Sequence, residues 1–198
     1  MTLPDGYSEI ASGKIASVVT YMEMRQRPAL APVAAPAGLE FRRVLQPDPA
    51  WYRQLYRLVG EPWFWFSRLH LGDEQLVEVI HHPLLEIYAL TDNEEDKGLL
   101  ELDRREPDAV EISSFGLASS LMGRGAGRYL MAMALEAAWV ASPERVWLHT
   151  CTLDSPKAMD FYRRSGFVAY RRAVEVADDP RLTGAVAETA APHLPIIR

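Results

Sequence analysis

Stretches of alternating and β-branched character take turns along the chain with stretches whose apolar residues recur at helical spacing. Lys14–Met24, KIASVVTYMEM, predicts a strand. Arg27–Gly38, RPALAPVAAPAG, has three prolines and no period, and reads as a linker. A short strand follows at Leu39–Leu45, then a helix at Pro49–Val59 with Trp51, Leu55 and Leu58 at helical spacing. Asp73–His82 predicts a second helix, and Leu84–Leu90 and Lys97–Asp103 predict two strands joined by the turn Asp92–Asp96. Val110–Leu117 is a further strand. The next helix opens at a glycine-rich stretch and runs to about Ala141, with Leu130, Met133, Ala134, Ala137 and Ala138 on one face.

Arg145–Thr150 predicts a strand and LDSPKAMDFYRRSGF a helix. Asp154 or Ser155 suits its cap, Pro156 its first turn and Gly166 its left-handed end. Phe167–Val176 is the last strand, and Ala177–Arg198, with Pro180, Pro192 and Pro195, reads as an extended wrap. This order predicts an α+β fold, a largely antiparallel sheet flanked by helices. The main domain spans 39–177, preceded by a strand and linker (1–38) and followed by a tail (178–198). The first strand pairs either with the edge of this chain's sheet or with another subunit's, which leaves a homodimer open.

The chain has 198 residues, enough for one domain, and a formal charge of −6. That charge argues against nonspecific attraction to nucleic acid or an anionic membrane. Cys151 is the single cysteine, so no intrachain disulfide forms, which suits a reducing compartment. The first residues lack the basic start and apolar run of a secretory signal, and the nearly apolar window Tyr129–Ala141 is interrupted by Glu136. The expectation is a soluble, cytoplasmic protein.

Residues 121–131, LMGRGAGRYLM, put Gly123, Gly125 and Gly127 at a helix opening, where glycine is about 1 kcal/mol worse than alanine once the helix has begun. Glycines there let a bulky anion reach N–H groups that lack partners at the helix start. Two phosphate motifs fail. In the dinucleotide pattern the third glycine would fall at Arg128 or Leu130, and no Gly-Lys-Ser/Thr follows for a P-loop.

The stretch resembles motif A of the GNAT superfamily of acyl-CoA-dependent N-acetyltransferases, Gln/Arg-x-x-Gly-x-Gly/Ala, with Gly125 and Gly127 as its glycines and Met122 where Gln or Arg is usual. HTCTLDSPKAMDFYRRSGFVAYRR resembles the family's motif B through Ala158, Phe161, Tyr162, Gly166 and Phe167, with Ser155 in place of Asn. The resemblance covers roughly Leu39 to Val176 and implies a GNAT fold and acetyl-CoA as cosubstrate.

By that resemblance, the N–H groups of Arg124, Gly125, Ala126, Gly127 and Arg128 hold the coenzyme A pyrophosphate, and Arg124 or Arg128 adds a side-chain contact. Phe115 and Leu117 lie on a strand that splays from its neighbour, with the Leu117 N–H aimed at the thioester carbonyl. Ser155 and Ala158 complete the cofactor contacts. Tyr162 is the implied general acid toward the departing thiolate, and Glu111 the base, expected on the same face as Leu117 six residues on; Glu101 is its rival. Trp63 and Trp65, or Phe64 and Phe66, are expected to wall the acceptor site. The implied reaction is acetyl transfer to a primary amine of a small molecule or peptide by direct attack in a ternary complex; the alternatives are an acyl-CoA-binding sensor without turnover and a toxin-like acetyltransferase acting on charged tRNA. Cys151 reads as a small buried residue, with nearby His149 keeping a nucleophile role open. His81 and His82 lack further ligands at metal spacing, so no metal is expected.

Overall fold

Asp48 begins α1 (Pro49–Gly60) by accepting from the N–H groups of Ala50 and Trp51 at 2.9 and 3.0 Å, with Pro49 in the first turn. Its buried stripe is Tyr52, Leu55, Tyr56 and Val59. The stripe expected through Trp51 and Leu58 is thus rotated by about one position: Leu58 is exposed, while Trp51 lies partly buried with its indole donating to Asp96. In α2 (Asp73–Ile80) the Gln75 side chain accepts from the Gly72 N–H, and Leu76 and Ile80 face inward.

The computed structural model describes residues 3–29 and 32–198. Among them, seven strands form one sheet: β1 (Lys14–Met24), β2 (Leu39–Val44), β3 (Leu85–Asp92), β4 (Glu95–Asp103), β5 (Ala109–Leu117), β6 (Arg145–Cys151) and β7 (Val168–Asp178). Two further helices follow β5 and β6, α3 (Ala126–Ala138) and α4 (Ala158–Arg164). The spatial order is β2-β3-β4-β5-β6-β1-β7, antiparallel throughout except for the β5–β6 pair.

β1 lies between β6 and β7, pairing Val19 with Cys151 on one side and with Ala173 on the other. The first strand is therefore an internal member of this chain's own sheet, which crosses the boundary drawn at Leu39, and it is not free to pair with another subunit. The proline-rich segment links it to β2 at the opposite edge.

Each face of the sheet carries its own core. Met22, Leu90, Leu100, Leu102, Ile112 and Leu148 pack against α3, from which Leu130, Met131, Ala134, Leu135 and Ala138 are buried. Met133 and Ala137 are only partly buried, so the buried face of α3 is turned from the expected one. On the other side Ile87, Ala89 and Leu99 pack against α1 and α2. Fully burying each Leu or Ile contributes about 1.5–3 kcal/mol, so both layers are firmly attached and the gap between β5 and β6 has stiff walls.

The tail is not an extended wrap. Asp179 and Arg181 form a buried ion pair, and the guanidinium also donates to the carbonyls of Ala190, Ala191 and Leu194. These bonds fold residues 179–194 into a turn-rich cap whose Val186 and Ala191 pack on Phe64. Among the described residues, no helix is long and apolar enough to cross a membrane.

Candidate active site

β5 and β6 pair only from Ala109–Glu111 to Arg145–Trp147, and beyond that point they part. A β-bulge in β5 marks the separation: Leu102 pairs with Ile112 but Glu101 with Ser114, leaving Ser113 as the extra residue. A bulge bends its strand, which turns β5 away from β6. It also reverses the alternation. Val110 and Ile112 face the α3 core, and past the bulge Phe115 and Leu117 do. Glu111 is consequently on the opposite face from Leu117, not the same one, because the six-residue count includes the bulge.

The Ala118 N–H donates to the Lys97 carbonyl at 2.8 Å. N–H directions alternate along a strand, so those of Leu117 and Phe115 point away from β4, into the opening beside β6. At its far end α3 begins. Gly123 and Gly125 have φ of 78° and 81°, a left-handed backbone that favours glycine. The first α3 N–H with a carbonyl partner is that of Tyr129, bonded to Gly125 at 3.1 Å. The N–H groups of Ala126, Gly127 and Arg128 are therefore unpaired by helix geometry. A Cβ on Gly127 would touch Leu117 and Phe161 at 3.7 Å, narrowing the same opening.

The two arginines differ. Arg124 is held in a bidentate pair with the buried Asp92 carboxylate, at 2.7 and 3.0 Å, and its N–H donates to Leu121. The guanidinium expected at the phosphate is thus paired with a carboxylate of β3, its side chain 40% exposed. Arg128 is exposed and has no ion-pair partner among the described residues.

A cavity of about 490 Å³ runs through the opening. Gly123, Gly127, Ser155, Ala158, Phe161 and Tyr162 line it on the α3–α4 side; Trp63, Phe64, Trp65, Phe66, His149 and Cys151 line it on the other. All four consecutive aromatics thus touch it, and the expected division into Trp and Phe pairs does not hold. The segment is a short 3-10 turn ending in a left-handed Phe64, not a strand or long helix with two faces. Phe64 is buried under the tail, with Arg181 5.2 Å above its ring. The Trp65 ring rests on Tyr56 and over Gly60 and Gly116. A Cβ at Gly116 would come within 3.0 Å of Val59 and Trp65. Gly116→Ala is expected to cost about 1–3 kcal/mol, read as a lower urea midpoint; an unchanged midpoint would show that Trp65 swings clear.

Asp154 was expected as a possible helix cap. Instead α4 begins at Ala158, and the Asp154 carboxylate turns back to accept from Thr150 Oγ1 (2.6 Å), the Cys151 N–H (3.0 Å) and Trp65 Nε1 (3.2 Å). It ties the aromatic wall to β6. The Tyr162 ring is packed by Phe115, Phe161 and Phe167. Burial, then the nearby Asp154 charge, pushes its phenol pKa well above the usual value, so the hydroxyl stays protonated.

Glu111 does not line the cavity. Its Oε1 lies 3.2 Å from Nδ1 of His149, which does. That hydrogen bond raises the imidazole pKa. Glu101 is fully buried and accepts from Tyr52 Oη, Arg68 Nη2, Ser113 Oγ and Ser114 Oγ, the last three at 3.1 Å. So occupied, it holds α1, the aromatic loop and the bulge together, and is no rival base. The Cys151 thiol pKa is raised by burial and by Asp154, which removes the thiolate a nucleophile needs. His81 bonds the Pro47 carbonyl and His82 accepts from the Leu84 N–H, both away from the cavity. Among the described residues no group of three or more His, Cys, Asp or Glu is placed to hold a metal.

Sequence reasoning missed His149 as a cavity group, Asp154 as a brace, the tail cap and the bulge. The bulge had a signal: apolar positions step from 110 and 112 to 115 and 117 across the doublet Ser113–Ser114.

No curated protein matches the sequence. Solved structures with the same fold include a GCN5-related N-acetyltransferase from Sphaerobacter thermophilus, with TM-score 0.64 and 16% identity over 82% of this chain and 52% of that one. An aminoglycoside acetyltransferase from an uncultured soil metagenomic sample, in complex with trehalose, aligns with TM-score 0.56 and 20% identity over 70% of this chain and 93% of its own. An IAA acetyltransferase from Bacillus cereus gives TM-score 0.53 and 19% identity over 67% and 79%. This chain thus spans about half the length of the Sphaerobacter protein. At these identities the likeness is one of fold. The acetyltransferase (GNAT) family pattern matches residues 50–167, more than half of the chain, and on that match the protein belongs to the GNAT acetyltransferase family.

Proposed function

We propose that the protein transfers an acetyl group from acetyl-CoA to a primary amine by direct attack in a ternary complex. The observation that carries this reading is a single cavity joining the open N–H groups at the start of α3, through the β5–β6 gap, to an aromatic-walled end. The residues present fit the cosubstrate. The unpaired N–H groups of Ala126, Gly127 and Arg128 suit a diphosphate, with the Arg128 side chain beside them. Ser155 and Ala158 border the same passage, and the Phe115 and Leu117 N–H groups face it. When bound, acetyl-CoA supplies the activated acyl group as a thioester.

This chain's residues then divide the work. The Leu117 N–H is a preorganised donor toward a carbonyl oxygen gaining negative charge. Tyr162 holds its proton more tightly than a thiol with a pKa of about 8.5 does, so it acts by donating a hydrogen bond to the leaving sulfur and not by giving up its proton. The amine's proton is taken at the cavity by neutral His149, with Glu111 behind it fixing the imidazole through Nδ1, so Glu111 acts through the histidine. The rings of Trp63, Trp65 and Phe66, with Asp154 on the cavity wall, favour a cationic amine on an apolar body.

A thiol-release screen with acetyl-CoA over aromatic amines, polyamines, aminoglycosides and lysine peptides tests the reading; turnover with one class supports it. Coenzyme A affinity without thiol release on any amine would make the protein a binding module. The pH dependence is specific. A base must be neutral, so kcat/KM rises through the His149 pKa, which the Glu111 carboxylate raises. Glu111→Gln removes that carboxylate and is expected to move the acid limb to lower pH; a limb that stays in place would remove His149 from the role.

A further inference from the structure

Among the described residues β7 ends the sheet, with β1 as its one strand neighbour. It is eleven residues long, and all but Ala177 are exposed. Val168, Tyr170, Val174 and Val176 are each more than 40% exposed, and Val18 of β1 sits beside Val174 on the same face. Such an edge presents a row of unpaired N–H and C=O groups. Of the usual protections, β7 carries charged side chains and a bulge at Tyr170, but neither brevity nor proline.

Its charges are arranged with a dyad. Arg171 and Arg172 precede Ala173, and Glu175 and Asp178 follow it. If the strand pairs antiparallel with a copy of itself about Ala173, Arg171 faces Glu175 twice. Centring on Arg172 would set that arginine against itself, and like charges directly opposite destabilise. Centring on Val174 would put Arg171 opposite Ala177 and lose both ion pairs. The regular ladder also suits this choice. A bulge leaves Tyr170 as the extra residue, since Tyr21 pairs with Arg171 and Met22 with Ala169. The regular ladder runs from Arg171 to Asp178, so a dyad at Ala173 keeps Arg171 to Glu175 inside it.

We propose that the protein is a two-fold homodimer in which β7 pairs with β7 of a second copy about Ala173, joining the two sheets into one. The contact reaches the acceptor cavity, because Glu175 lines it and is the residue that meets the second copy's Arg171. The Arg171 guanidinium already lies over its own Tyr21, 3.8 Å from the ring centroid, which fixes its position while leaving its N–H edge free. Each copy thereby places a cation at the cavity rim of the other. On the opposite face, Val174 of each copy, with Val18 beside it, meets the aliphatic stem of the other copy's Arg172 and loses water contact.

Sedimentation of the full chain at micromolar concentration is expected to give twice the chain mass. Arg171→Glu and Glu175→Arg each set like charges opposite one another twice, and are each expected to raise the dimer dissociation constant at least about tenfold. The double variant R171E/E175R restores opposite charges and is expected to return the dimer. Near-UV circular dichroism checks that each variant is folded; if R171E is not, E175R and the double variant carry the comparison. A full chain that stays monomeric overturns the proposal. So does a dimer indifferent to both single inversions, or one the double variant fails to restore.

Discussion

Tyr162→Phe is expected to lower kcat by about 10²–10³-fold, the usual effect of removing one aligned donor from developing negative charge. The ring seat formed by Phe115, Phe161 and Phe167 accepts a phenylalanine of the same outline. The melting temperature and the KM for acetyl-CoA are therefore expected to stay close to those of the unaltered protein. The phenol titrates well above its usual range, so no alkaline loss of activity below about pH 10 belongs to Tyr162. Single-turnover thiol release across pH measures both points. If kcat is unchanged at every pH, water serves the leaving sulfur and the assignment fails.

The second large effect is on stability. Glu101→Ala removes the one acceptor shared by Tyr52, Arg68, Ser113 and Ser114 at a site closed to solvent. Arg68 is left without its anion, and breaking a buried pair from one side costs about 3–5 kcal/mol. For a chain of this size that is a fall in melting temperature of about 10 °C. Glu101→Gln keeps an acceptor for the hydroxyls and is expected to fall less. Calorimetry decides; equal melting temperatures for both variants and the unaltered protein would mean that the network contributes nothing net. Because the same carboxylate pins the bulge that opens β5 from β6, Glu101→Ala is also expected to weaken acetyl-CoA binding in calorimetric titration.

The element order was legible because strands and helices announce themselves locally. Gly123, Gly125 and Gly127, and the run from Ala158 to Phe167, carried the family likeness for the same reason: both motifs answer to nearby backbone geometry. Errors arose where one residue changes a count. Inserting Ser113 moved Glu111 to the other face, and a rotation of α1 by about one position exchanged Leu58 for Val59 in the core.

Side-chain partners were the least legible. Arg124 lies within motif A, yet its guanidinium is engaged by Asp92, thirty-two residues away. Asp154 resembles a cap and acts as a brace across β6 and the aromatic loop. Nothing local in either residue states which distant group will come within hydrogen-bonding reach.

The sequence by itself determined the α+β element order, the glycine-shaped helix start and the family, since each depends on backbone propensity and short-range spacing. The tertiary structure decided that β1 is an inner strand, that His149 and not Glu111 meets the cavity, and that the tail caps the aromatic wall. Those outcomes depend on strand neighbours and long-range contacts, which are settled only when the whole sheet closes on its two cores.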